Sequence, residues 1–241
     1  MKFLLISIVI GNCLAAQAVE TIDTFGRFGT IHTYYEADRP SEVALFISGD
    51  SGWNKVVIDM AKHLLNLGTL VVGVDIVHYL NRLQAAKEQC SYPAADFEML
   101  SKFVQKKLGF SEYHTPILVG YSSGATLAYA LIAQAPQGTF KAALSMGFCP
   151  DLPVGKPFCK GSGLEFSLGP DGKRVNFLPR KDLPVPWIVF QGTSDQVCKA
   201  KVVAEFVRRC DNAQVCLLEK VGHGFSIEKN WLPQFKEAFV S

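Results

Sequence analysis

Ser122 lies in Gly120-Tyr121-Ser122-Ser123-Gly124, between an apolar run at 116–119 and a small-residue helical pattern at 125–133. A strand that turns sharply into a helix through Gly-x-Ser-x-Gly exposes the serine at the turn as a nucleophile. The glycines relieve clashes of the tight turn with its neighbours. A serine hydroxyl is a weak nucleophile, so it needs a base to take its proton and a carboxylate to orient that base. The chemistry such a group performs is acyl transfer.

Five histidines are present: His32, His63, His78, His114 and His223. Only His223 follows Ser122. It sits in Val221-Gly222-His223-Gly224-Phe225, just past the last apolar strand pattern, where flanking glycines permit a tight loop. The acid is expected after a strand between the two. Asp195, directly past the apolar run 186–192, is the first choice, and Asp151 the second. Asp171 and Asp182 fall in an irregular insert, and Asp211 ends a helix pattern. Serine, acid, histidine is the chain order of one large class of hydrolytic folds.

A tetrahedral intermediate also needs backbone N–H donors. Ser123, next to the nucleophile, is expected to supply one. Asp50 or Ser51, in the turn 49–53 after the first long strand, is expected to supply the other. The same turn, Gly49-Asp50-Ser51-Gly52, resembles the nucleophile motif of trypsin-like proteases. That all-β fold places its histidine and aspartate before the serine, so Ser51 is set aside as a nucleophile.

These residues need a scaffold that brings strand ends together. Apolar runs at 42–48, 69–75, 140–147, 186–192 and 214–219 read as strands. Helical spacing marks 56–67, 93–108, 123–136 and 199–209, with a final helix after Phe225. Residues 76–92 read as polar, and 19–40 as an opening hairpin. The alternation predicts a single α/β domain over 19–241: a mostly parallel sheet with helices on both faces. Residues 148–185 interrupt it with six prolines and a Gly169-Pro170-Asp171-Gly172 turn. The flanking stretches 165–168 and 174–178 are expected to pair as a hairpin. The insert reads as a small cap over the carboxyl edge of the sheet.

Composition narrows the class. The chain of 241 residues is 49% hydrophobic and carries 24 basic against 22 acidic residues, a net charge of +2. No block of like charge provides a footprint for nucleic acid. Residues 1–18 read as a cleaved signal peptide, with Lys2, a short apolar run and Ala16-Gln17-Ala18. Cys13 raises a lipoprotein signal, but Asn12 stands where a small residue is expected. The expected location is periplasmic or secreted. Six further cysteines then suggest disulfides. Short separations favour Cys149 with Cys159 and Cys210 with Cys216. No metal-ligand spacing accompanies them, and no cofactor is implied.

Four segments together carry a family resemblance: Ser48-Gly49-Asp50-Ser51-Gly52-Trp53, Gly73-Val74-Asp75, the Gly120–Gly124 turn and Gly222-His223-Gly224-Phe225. Over about residues 42–240 the chain resembles the bacterial virulence protein family of VirJ and the carboxyl half of AcvB. Ser123 stands where that family usually has an aromatic residue, and Gly224 where it tends to double the histidine. The resemblance implies a periplasmic α/β-hydrolase. For the AcvB branch it implies cleavage of the aminoacyl ester of lysyl-phosphatidylglycerol, and for the VirJ branch an accessory role in type IV secretion. An aminoacylated phospholipid would need carboxylates near its cationic head, and Asp50 and Asp75 lie at strand ends. Trp53 and Tyr121 are further candidates to contact substrate. A non-catalytic adaptor of secretion components and a dienelactone-hydrolase-type esterase are the alternatives. The latter subgroup typically has cysteine at the position of Ser122.

Overall fold

A computed structural model describes residues 18–36 and 40–241. The expected leader, Cys13 included, falls outside that range except for Ala18, the first residue of β1.

The chain opens with β1 (Ala18–Phe25) and β2 (Gly29–Glu36), an antiparallel hairpin. Then follow β3 (Glu42–Ile47), α1 (Lys55–Lys62), β4 (Thr69–Val74), α2 (Ile76–Ala85) and α3 (Pro93–Lys107). The second half holds β5 (Ile117–Tyr121), α4 (Ser123–Gln134), β6 (Ala142–Met146), β7 (Asp151–Leu152), β8 (Phe166–Leu168) and β9 (Val175–Phe177). It ends with β10 (Asp182–Gly192), α5 (Ala200–Val207), β11 (Asp211–Leu218) and α6 (Leu232–Val240). Eight strands form one sheet in the order β1-β2-β4-β3-β5-β6-β10-β11. From β4 to β11 all pairings are parallel; only the hairpin and its junction with β4 are antiparallel.

Side chains alternate across the pleat and so divide the strands between two cores. Val43, Leu45 and Ile47 of β3 join one core, and Ala44 and Phe46 the other. The first core takes α2, α3, α4 and α5, through residues such as Tyr79, Phe97, Leu127 and Val203. The second takes α1 and α6, through Val57, Met60, Phe235 and Phe239.

Residues 76–85, read as polar in the sequence, form α2. Asp75 caps it by accepting from the Val77 and His78 N–H groups, and Ile76, Tyr79 and Leu83 turn one face inward.

The insert folds as a small sheet of its own. Its hairpin forms, with β8 and β9 antiparallel, and β7 joins as a third strand. It covers α4, whose twelve residues are all buried. Such a helix is apolar all round and needs cover on its outer side as well. The insert supplies that cover and is tied to α4 near both ends, Thr126 donating to the Cys149 carbonyl at 2.7 Å. Tyr129 donates to the Leu178 carbonyl at 2.7 Å, Arg180 to that of Ala133 at 2.8 Å, and Gln134 to that of Cys159 at 2.6 Å.

The expected cysteine pairs do not form. The bonds formed are Cys90–Cys159 and Cys149–Cys198, while Cys210 and Cys216 stay as thiols. Cys210 belongs to the core on one face of the sheet and Cys216 packs against the other, so six residues of separation do not bring them together. Cys159 is held at the start of α3, where its N–H donates to the Ser91 carbonyl at 2.8 Å. That leaves Cys149 beside the loop after β10.

Candidate active site

β5 ends at Tyr121 and α4 begins at Ser123, so Ser122 is the corner. Its φ of 54° and ψ of −122° lie in a region that side-chain-bearing residues rarely adopt. The corner is held by neighbours. The Ser122 N–H donates to the Met146 carbonyl at 2.8 Å, and its own carbonyl accepts from Ala125 and Thr126. Close approach accounts for both glycines. A Cβ on Gly120 would lie 2.1 Å from the Gly124 carbonyl oxygen, and one on Gly124 2.3 Å from that of Ile47.

Three residues from three separate loops meet at this corner. Ser122 Oγ is 2.9 Å from His223 Nε2, and His223 Nδ1 is 2.8 Å from Asp195 Oδ2. Asp195 follows β10 and is buried; His223 follows β11 and keeps 19% of its side chain exposed. The remaining oxygen of Asp195 accepts from the Val197 and Cys198 N–H groups at 2.8 and 2.9 Å. The carboxylate is therefore held in one orientation, with its charge met by donors. Asp151, the alternative acid, pairs instead with Arg174 in the insert.

The glycines beside His223 do not carry the positive φ angles of its loop. Those fall on Lys220 (60°) and Phe225 (48°). Phe225 is buried and its carbonyl accepts from Trp231 Nε1 at 2.8 Å, which fixes the loop from below. Tyr121 fixes it from the side, donating to the His223 carbonyl at 3.2 Å. Burial pushes the Tyr121 phenol above its ordinary range, and the carboxylates of Asp195 and Asp50 add to this, so it keeps the proton it donates.

The turn after β3 abuts the corner. A Cβ on Gly49 would lie 3.0 Å from the Cβ of Ser122. Gly52 N–H closes the turn on the Gly49 carbonyl at 2.9 Å, leaving Asp50 and Ser51 as its central residues. Asp50 is exposed and accepts from Ser123 Oγ at 2.5 Å. His223 Nε2 bonds to Ser122 and not to Ser51.

Two expected substrate contacts have other uses. The Asp75 carboxylate is occupied: one oxygen caps α2 and the other accepts from the Trp53 N–H at 3.2 Å. Trp53 packs inward over β4 between His32, Tyr34 and Phe46. Gly73 makes that fit, since a Cβ there would lie 2.1 Å from the indole. Asp75 and Trp53 thus anchor the turn on which Asp50 rides. Gln191, absent from the residues the sequence singles out, donates to Asp195 Oδ2 at 2.9 Å. A polar residue at the end of an apolar strand is the one signal of it in the sequence.

Residues 41–148 match the family model described as bacterial virulence protein (VirJ). The resemblance to VirJ is shown over that stretch. The VirJ-like part carries the turn after β3, Asp75 and the Ser122 corner, while Asp195 and His223 lie beyond it. No curated protein sequence matches the chain. Among solved structures, the esterase domain from a Rhodothermus marinus protein is 15% identical with a TM-score of 0.59, covering 93% of this chain and 98% of that one. Dienelactone hydrolase from Anabaena variabilis ATCC 29413 is 14% identical with a TM-score of 0.60, covering 92% and 95%. An alpha-beta serine hydrolase homologue from Coxiella burnetii is 19% identical with a TM-score of 0.54, covering 97% and 98%. At these identities the likeness shows a shared α/β-hydrolase fold.

Proposed function

We propose that this chain is an exported serine ester hydrolase that works through an acyl-enzyme. The observation that carries the reading is the continuous line from Ser122 Oγ through His223 to Asp195, at 2.9 and 2.8 Å. Ser122 Oγ attacks the ester carbonyl carbon while His223 Nε2 takes its proton. The carbonyl oxygen gains charge and is met by the N–H groups of Ser123 and of Asp50 or Ser51. Collapse breaks the ester C–O bond, and the imidazolium returns the proton to the leaving alcohol. A water then attacks the acyl carbon, again losing its proton to His223, and frees Ser122. Asp195 holds the imidazole in the tautomer that presents a bare Nε2.

For the substrate, we infer an aminoacyl ester such as lysyl-phosphatidylglycerol. Asp50 supports this: its carboxylate is exposed beside the acyl site, where it can meet an ammonium group on the acyl portion. Asp75, occupied at both oxygens, adds no support. The two disulfides suit an oxidising compartment, consistent with a periplasmic or secreted enzyme. No helix among the described residues is long and apolar enough to cross a membrane.

The test is hydrolysis of p-nitrophenyl acetate and release of lysine from lysyl-phosphatidylglycerol, each with wild type and Ser122→Ala. Equal rates for the two proteins on both substrates would remove the enzyme reading. The VirJ resemblance also supports a second one, an adaptor of a type IV secretion system. In that case Ser122→Ala would leave secretion intact. Hydrolysis of the acetate without lysine release would keep the esterase and discard the lipid substrate.

A further inference from the structure

We infer that Gln191 is a positioning residue that aligns Asp195 with His223. The inference rests on the hydrolase reading and concerns how its acid is kept in place.

Gln191 is the penultimate residue of β10 and is fully buried. Its side-chain nitrogen reaches two acceptors, Asp195 Oδ2 at 2.9 Å and the Cys198 carbonyl at 2.6 Å. Its side-chain oxygen has no partner among the described residues. The amide can sit only this way round. Flipped, its oxygen would face a carboxylate oxygen and a carbonyl oxygen with no hydrogen between them.

The acceptor matters. Oδ2 is the same oxygen that takes the Nδ1–H of His223, while Oδ1 is held by the Val197 and Cys198 N–H groups. Gln191 therefore closes the last rotational freedom of the carboxylate. It does so with a neutral donor, which steadies the charge without competing for it as a cation would. Its second bond extends the effect. By holding the Cys198 carbonyl it fixes the loop 195–198, and the Cys149–Cys198 disulfide ties that loop to the chain after β6.

Folding has one use for this residue, as the donor to the Cys198 carbonyl. The neighbours Phe190 and Val189 are apolar and buried. A methionine of similar length would fill the same space and leave no orphan side-chain oxygen, though it would strip the Cys198 carbonyl of its donor. A polar group kept against that preference indicates a task at the strand end, and the group it serves there is Asp195.

Two variants test this. Gln191→Met should lower kcat on p-nitrophenyl acetate by roughly 10- to 100-fold, short of the ~10⁴-fold lost when an orienting aspartate itself is replaced. KM should stay within about twofold, because ground-state binding is untouched. The melting temperature should fall by only about 2–4 °C, for the lost bond to the Cys198 carbonyl. The far-downfield proton resonance of the His223 Nδ1–H should shift or broaden. Gln191→Glu should behave differently. While the introduced carboxyl group and Asp195 share one proton the hydrogen bond persists, and when that proton leaves the two carboxylates repel. The kcat of this variant should therefore fall with rising pH over a range where wild type is flat. The inference is overturned if the Gln191→Met resonance is unmoved, or if the Gln191→Glu pH profile superimposes on wild type. The resonance needs no turnover, so failure here is separable from failure of the hydrolase reading, which Ser122→Ala reports.

Discussion

Ser123 Oγ donates to Asp50 Oδ1 at 2.5 Å, joining the first residue of α4 to the turn after β3. The two residues come from the two loops proposed to supply the backbone donors of the acyl site. Their side chains thus tie those loops together. Ser123→Ala keeps both N–H groups and removes only the tie. We expect a loss in kcat smaller than the roughly 100- to 1000-fold that follows deletion of an oxyanion donor. Steady-state kinetics on a p-nitrophenyl ester measure it. An unchanged kcat would mean that the turn is rigid without this bond.

The elbow glycines differ from those beside the base in what surrounds them. A Cβ on Gly124 would lie 2.3 and 2.4 Å from the carbonyl oxygens of Ile47 and Ser48, whereas none at Gly224 meets anything within 4 Å. Gly124→Ala should therefore cost about 3 kcal/mol or more, as a backbone clash in a packed site does, and Gly224→Ala well under about 1 kcal/mol. Urea unfolding followed by circular dichroism compares them. Similar midpoints would contradict the packing at the corner.

The two disulfides should separate stability from activity. Each closes a loop of moderate length, 69 residues for Cys90–Cys159 and 49 for Cys149–Cys198, worth about 2–4 kcal/mol. Only the second touches the loop of Asp195. Cys149→Ser with Cys198→Ser should lower both the unfolding midpoint and kcat. Cys90→Ser with Cys159→Ser should lower the midpoint alone, since it fastens the insert to the start of α3. Activity lost equally in both pairs would argue against a specific link to the acid.

Stability at alkaline pH should depend on Cys210. Burial raises its thiol from 9.0 to about 11. The folded state then holds the proton more tightly than the unfolded one. That contribution is whole below about pH 9 and is lost as pH rises through about 11. Cys210→Ala should flatten the fall in unfolding midpoint over this interval, apart from a residue due to the Tyr129 phenol, which burial also raises. The folded wild type should also resist iodoacetamide at about pH 8 at this position, because little thiolate forms. Rapid alkylation of Cys210 would show that its pocket opens.

Much of the fold is legible locally. An apolar strand written as Val43, Ala44, Leu45, Phe46 and Ile47, followed by glycine and an amphipathic helix, states its own conformation, and the repetition of that unit states the sheet. Ser122, Asp195 and His223 are legible for the same reason. Parallel strands all end at one edge, so residues just past strand ends must gather there in chain order. The helix α2 is hidden in the sequence although its spacing of Ile76, Tyr79 and Leu83 is present, because interspersed polar residues mask a narrow apolar stripe.

Local patterns of residue types thus carry the alternating architecture and the candidate serine, acid and base at its carboxyl edge. Packing between elements settles the rest. Cys210 and Cys216 are near in sequence but face opposite sides of the sheet, so Cys149 and Cys90 found distant partners. Asp75 and Trp53 look like binding residues until the α2 N-terminus and the bare face of Gly73 claim them. Gln191 looks like one more strand residue until Asp195 is seen beside it. Each of these depends on which surface one element presents to another. That is settled by packing across the whole chain, and no local pattern of residue types encodes it.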